Sequence, residues 1–246
     1  MEPAPWSWHP AWGELTVLTL LGGAYAVAAR RFPPTPARVL TFAAGLLVAA
    51  AVLVTPVSTL ALHYLLSAHL FQNVALAEWA PALLVLGLSA PMAAALAGRR
   101  PFRVLTHPLV ALPLWVATYA VWHVPALYDA ALRNAPLLHL EHACYLAAGL
   151  LLWWPALRDP PHELPSGRRA AYLFAAFLLA SPVGLLLALV PDPIYSFYEE
   201  ASRIWGISAL TDQQIAGVIM AGSEAVVFFA AFAFFLLRFF AEEGAI

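Results

Sequence analysis

The stretch Leu137–Pro155, LLHLEHACYLAAGLLLWWP, puts two histidines and a glutamate at the mouth of a run otherwise fit for hydrocarbon. A bilayer core is crossed by about 20 residues of helix, and this run is long enough to do it. Comparable apolar runs recur along nearly the whole chain. Of 246 residues, 63% are apolar and only 11% charged, with a mean hydropathy of +0.79, whereas a soluble domain carries roughly 25% charged residues. The composition predicts one all-α integral membrane domain over residues 1–246, with no soluble domain left over. A formal net charge of −2 gives no reason to expect nucleic acid as a partner. Cys144 is the only cysteine, so no internal disulfide and no paired-cysteine metal motif can form.

Seven transmembrane spans follow from the apolar runs, at about 12–30, 38–58, 65–90, 104–122, 137–157, 168–190 and 213–238. The separators RRFPPTPAR, GRRPFRVLTHP and RDPPHELPSGRR are rich in proline and arginine. Proline lacks an N–H and disfavours helical angles in the residue before it, so these clusters end spans. The first span has Arg30 and Arg31 after it and no positive segment before it, the pattern of an anchor rather than of a cleaved signal. The chain has no lysine. Ten of its twelve arginines (30, 31, 38, 99, 100, 103, 158, 168, 169, 238) fall in three alternate loops and the C-terminal end, and only Arg133 and Arg203 fall on the opposite side. The positive-inside rule then predicts an N-terminus outside and a C-terminus in the cytoplasm.

That orientation sorts the histidines. His9, His63, His69, His123, His139 and His142 belong to the outer side, and only His107 and His162 to the inner. His139 and His142, at i and i+3, share a helical face with Cβ atoms about 5–6 Å apart, while Glu141 and Cys144 point elsewhere. His69 near the outer end of span three and His123 where span four exits reach the same level. Neutral imidazole suits copper, zinc, iron or nickel, and affinity peaks at Cu²⁺. The same imidazoles could instead cross-link helices by hydrogen bonds, each contributing around 0.6 kcal/mol.

Two acids need an account. Glu78 and Glu224 lie roughly 18–20 Å below the outer ends of their spans, at 1.5 Å per residue, near the midplane. An isolated charge there costs at least about 2.5–3.5 kcal/mol, so they either line a polar pathway or act as protonated hydrogen-bonding groups between helices. Pro81 is expected to kink span three beside Glu78. In IYSFYEEASRIWGIS, residues 194–208, an apolar face opposes Glu199, Glu200 and Arg203 and predicts an interfacial helix. Trp6, Trp8 and Trp12 fit an outer aromatic belt, and Trp153 and Trp154 an inner one. Met92, Met220 and Cys144 read as packing.

The segments SAHLFQNVAL, APALLVLGLSAP, HPLVALPLWVATYAVWHVPALYDAAL, LHLEHACYLAAGLLLWWP and TDQQIAGVIM, in this order over residues 65 to 222, resemble the CtaG family of cytochrome c oxidase assembly proteins. The resemblance implies a seven-span protein of the bacterial plasma membrane, not an enzyme, that binds or delivers copper at the outer face during maturation of a haem–copper oxidase. Its implied partners are cytochrome c oxidase subunits and an extracytoplasmic copper donor. Carried over by position, His69 matches the first histidine of a span-three pair whose second position is here Asn73, an amide that is a poor copper ligand; His63 is the reserve ligand. His123 matches the histidine of a Trp-His-x-Pro motif, and His139 and His142 match the pair opening span five. Asp212, Gln213 and Gln214 match a family motif at the start of span seven. Asp212 is expected either to accept a ring N–H from a ligating histidine or, with Thr211, to cap span seven. The competing readings are a haem-binding membrane electron carrier, with axial histidines on neighbouring spans, and a metal-free assembly scaffold, to which Asn73 adds weight.

Overall fold

The computed structural model describes residues 3–244, and among these it is all helical. In chain order the helices are α1 (Trp12–Arg31), α2 (Pro36–Val54), α3 (Pro56–His63), α4 (Leu66–Val74), a π-helical turn (Ala75–Trp79), α5 (Ala80–Gly87), α6 (Ala90–Ala97), α7 (Arg100–Leu105), α8 (Pro108–Trp122), α9 (Pro125–Arg133), α10 (Ala135–Leu157), α11 (Ser166–Leu189), α12 (Ser196–Glu200) and α13 (Ala209–Glu242). Six helices are long and apolar enough to cross a membrane, and the pair α8 and α9, bent by 74° at His123–Val124, makes up to seven. Six of the expected spans coincide with these helices; the fourth, 104–122, coincides with α8, which is long enough only together with α9. Span two ends at Val54 rather than 58, because Thr55 is extended and its hydroxyl caps the new helix α3 by accepting from the Val57 N–H.

The hub of the bundle is the continuous rod α4–π–α5. In its most apolar stretch 72% of residues are buried, against 6% for α1, which packs at the periphery. The sequence explains the π turn. Pro81 cannot donate to the carbonyl of Ala77, and the chain widens ahead of it, the Ala80 N–H bonding to Ala75 O instead. A Cβ on Gly149 of α10 would collide with that Ala77 carbonyl and lie 2.6 Å from Pro81 Cγ. Glycine thus lets α10 close on the proline-loosened turn. A second close seam joins α11 to α13, where a Cβ on Gly217 would lie 2.5 Å from Gly184 O and from Ala188 N. Small residues at such crossings allow backbones to pack where no hydrophobic force drives helices together.

Two expectations fail here. Only Ser196–Glu200 of the expected interfacial helix is helical; beyond it the chain turns through Trp205 and Gly206, both at positive φ (54° and 70°). Tyr198, on the apolar face of that segment, points inward rather than to lipid and is 2% exposed. Asp129 of α9 fixes this short helix, accepting from Ser196 N (3.1 Å), Ser196 Oγ (2.6 Å) and Phe197 N (3.2 Å). Trp153 and Trp154 form no inner belt either. Both are buried, Trp153 stacked on Phe228 and Trp154 edge-on to Phe102. Trp6, Trp8 and Trp12 are exposed as expected, Trp6 lying 5.7 Å from Trp205. Met92 and Met220 are buried packing residues.

Candidate functional site

At the histidine-bearing end of the bundle four imidazoles are held in the same way. His69 is fully buried in α4, with Nδ1 2.9 Å from the Tyr198 hydroxyl. That hydroxyl donates its one proton to Ala61 O at 2.6 Å, so the network assigns the remaining proton to His69 Nδ1 and leaves Nε2 a bare lone pair. His123, at the break between α8 and α9, faces the Tyr119 carbonyl with Nδ1 at 2.8 Å, which requires the same tautomer. His139 and His142 both direct Nδ1 at one carboxylate oxygen, Glu14 Oε1, at 2.6 and 3.0 Å. The Nε2 atoms of His69, His123 and His142 are buried and have no hydrogen-bond partner. His139 is more open, its side chain 47% exposed.

What faces these lone pairs matters chemically. His69 Nε2 lies 3.6 Å from Glu141 Oε1, too far for a hydrogen bond and acceptor to acceptor in the assigned tautomer. Asn73 Nδ2 donates to the same Glu141 oxygen at 3.0 Å, leaving Asn73 Oδ1 and Glu141 Oε2 without partners. The His69 and His142 rings stand 6.4 Å apart at 73°. Tyr128, its hydroxyl buried and unpartnered, packs against both His69 and His123, with ring centroids at 5.1 and 6.0 Å. Among the described residues no three His, Cys, Asp or Glu side chains come together as a metal-holding group.

Supporting residues arrive from distant parts of the chain. Asp212 neither receives a ring N–H nor caps its own helix. It accepts from the Leu66 and Ser67 N–H groups at 2.6 and 3.1 Å, capping α4 three residues before His69; Ser208 caps α13 through the Thr211 N–H. Gln213 accepts from Ile194 N and donates to Asp192 O, pinning the loop that carries Tyr195 and Tyr198. Burial pushes the Tyr198 hydroxyl well above its ordinary pKa, with the charges of Asp212 and Glu141 adding, so it stays neutral and can hold His69 at any physiological pH. His9 lies within electrostatic reach of Glu14, His139 and His142, and its burial lowers its pKa. His63 lines a surface pocket with Arg133, Phe197 and Glu200.

The two deep acids lie within electrostatic reach of each other. Glu78 accepts from the Tyr119 hydroxyl at 2.9 Å, and Glu224, whose two oxygens are buried without partners, interacts with it electrostatically. Tyr119 joins levels, since its hydroxyl holds Glu78 while its carbonyl holds His123.

Glu14, Glu141 and Tyr198 were not among the residues expected from sequence. Glu14 sits in the first turn of α1, where an acid ordinarily complements the helix dipole, and nothing local distinguishes it. Glu141 could have been found: it is the member of the LHLEH segment on the face opposite His139, and in a buried helix the face away from lipid is the one that meets neighbours.

In comparison with known proteins, the model of a family described as cytochrome c oxidase caa3 assembly factor matches residues 21–242. No curated protein and no solved structure matches.

Proposed function

The chain belongs to the cytochrome c oxidase caa3 assembly factor family, and from that premise we propose that it serves oxidase maturation by holding copper, as cargo, in the imidazole cluster and passing it to an oxidase subunit. On this reading His69 and His142, with Glu141 beside them, hold the ion; His139 stands at the open side where a donor protein approaches, and His123 packs on Tyr128. The observation that carries the proposal is the set of buried, unpartnered Nε2 atoms on histidines whose Nδ1 atoms are all occupied. That is how metal-ligating histidines are prepared, the far nitrogen fixing tautomer and ring direction. The 3.6 Å gap between His69 Nε2 and Glu141 Oε1 is also within the separation that two ligands at about 2.0–2.2 Å from one ion can have.

The lack of a ready three-ligand group among the described residues suits cargo that must leave. A closed four-ligand cage would hold the ion as structure. The arginine distribution supports an N-terminus outside and a C-terminus in the cytoplasm of the bacterial plasma membrane, which puts the cluster at the extracytoplasmic side with access to a copper donor and to the oxidase.

One observation favours a metal-free scaffold instead. Asn73 occupies Glu141 Oε1 with its amide, where a second imidazole would otherwise stand one helical turn from His69. Copper stoichiometry and affinity, measured in one detergent for the wild type, His69→Ala/His142→Ala and Asn73→His, test the reading. Wild type is expected to bind copper, the double variant to lose it, and Asn73→His to bind more tightly. If neither wild type nor Asn73→His binds, the scaffold is the better account.

A further inference from the structure

The opposite, arginine-rich end of the bundle carries a second site. Arg38 at the start of α2, Arg158 just after α10, Arg169 in α11 and Arg238 in α13 surround one polar cavity of about 360 Å³. Two carboxylates share it, and both are taken: Asp159 by Arg169, and Glu242 by Arg238 (2.8 Å) and the Ser166 hydroxyl (3.0 Å). Arg38 and Arg158 have no carboxylate within ion-pair distance among the described residues. They converge instead on the carbonyls that end α5. Arg158 donates to Val85 O, Leu86 O and Leu88 O, and Arg38 to Leu86 O and Leu88 O.

These bonds satisfy helix-terminal carbonyls, yet they leave two guanidinium groups side by side with no carboxylate in direct contact, Asp159 acting on Arg158 only from a distance. Arg158 is 8% exposed. Burial, and then the neighbouring Arg38 charge, pull its pKa down to about 10, so it remains charged near neutral pH. Arg38 commits only Nη1 and Arg158 only Nε and Nη2, so each keeps N–H groups to offer.

The same stretch of backbone walls a second cavity. Leu88, whose carbonyl both arginines hold, also lines an apolar cavity of about 360 Å³ together with Leu21, Tyr25, Phe42, Met92 and Trp154. Helix α6 contributes to both, Met92 and Ala95 to the apolar cavity and Ala90 and Ala93 to the polar one. An excess of guanidinium thus sits beside a groove of hydrocarbon at the membrane edge. We propose that this is a binding site for one anionic phospholipid, its phosphate on Arg38 and Arg158 with Arg238 at the rim, and an acyl chain in the groove between α1, α5 and α6. Guanidinium forks match phosphate oxygens, and basic pockets between membrane helices take anionic head groups. The groove favours a lipid over free phosphate, which could use only the polar half.

Native mass spectrometry of the full-length protein, titrated with phosphatidylglycerol, with phosphatidylcholine of the same chains, and with inorganic phosphate, tests this. One phosphatidylglycerol is expected to bind in preference to both others. Arg38→Gln and Arg238→Gln should each weaken it about fivefold, the value of one basic residue near an anionic surface. Ala24→Trp, which fills the groove from α1 and leaves the arginines intact, should weaken the lipid and not phosphate. Arg38→Gln removes a carbonyl cap and could fail to fold; the exposed Arg238 and Ala24 keep the test decisive. Equal binding of the two lipids, phosphate as tight as phosphatidylglycerol, or unchanged lipid binding in both folded Arg238→Gln and Ala24→Trp would overturn the proposal.

Discussion

Glu14→Gln isolates the part of the cluster that no local motif announces. In the wild type one carboxylate oxygen accepts from His142 Nδ1 at 3.0 Å and from His139 Nδ1 at 2.6 Å. A hydrogen bond to a charged group is worth about 1.5–3 kcal/mol, against about 0.5–1.5 for a neutral one, so the amide loses roughly 1–1.5 kcal/mol per bond. The His139 bond is half-exposed and counts for less. The substitution also sets an amide NH₂ where Glu14 Oε2 is buried without a partner, which leaves a further donor unsatisfied. A loss of about 1.5–2 kcal/mol in the orientation of His142 corresponds to roughly 10–30-fold, inside the 10–100-fold range seen when the outer partner of a ligating histidine is removed. Two assays separate the steps. Nitrogen-15 spectra of the wild-type histidines should show Nδ1 protonated and Nε2 bare at His142, with a mixture of tautomers in Glu14→Gln. A chelator competition should show the weaker copper binding at unchanged stoichiometry. A proton on Nε2 of wild-type His142, or copper affinity within twofold of wild type in the folded variant, would refute the reasoning.

Asp212→Ala should lower thermal stability by about 0.5–2 kcal/mol, the value of a helix cap, and weaken copper binding through the displaced start of α4; unchanged melting would show that the Leu66 and Ser67 N–H groups find another acceptor. Gly149→Ala forces a methyl group against Ala77 O and Pro81 and should cost about 1–3 kcal/mol as overpacking, read from unfolding in detergent, whereas Gly222→Ala, with nothing within 4 Å, serves as the neutral control. Cysteines placed at Ala4 and Gly244 in a Cys144→Ala background should label from the outside and the cytoplasm respectively; the reverse pattern would overturn the proposed orientation.

Periodicity and arginine spacing made the spans legible, because each span is a local apolar run and all but the last are closed by proline. The outer elements were less so. The face drawn for residues 194–208 assumed that its aromatic side lay on lipid, but Asp129, 67 residues earlier, holds Ser196 and turns Tyr198 into the bundle. Trp153 and Trp154 looked like belt residues for the same reason: a tryptophan pair near a span end reads alike whether it meets headgroups or a neighbouring Phe228 and Phe102. Four histidines of the candidate site were visible as a set, and their supports were not. Glu14 is separated from His139 by 125 residues, Tyr198 from His69 by 129 and Asp212 from Leu66 by 146. Only closure of the bundle brings them together.

That separation bears on how the cluster works. Three of the four imidazoles sit on one element and take their tautomer from another, His139 and His142 from α1 and His69 from α12, with the start of the His69 helix held from α13, while His123 takes its own from Tyr119 in α8. A shift of α1 would therefore release Nδ1 of His139 and His142, and a shift of the loop before α13 that of His69, without unfolding the helices that carry them. The bond most exposed to such a change is that between His139 and Glu14, since α1 is the least buried span and its glutamate is the acceptor for both rings. On the proposed reading, a partner that draws α1 away loosens His139 and His142 together and leaves His69 fixed by Tyr198. Release of a cargo ion then requires movement of one peripheral helix, a motion that costs far less burial than any rearrangement of the α4–π–α5 hub.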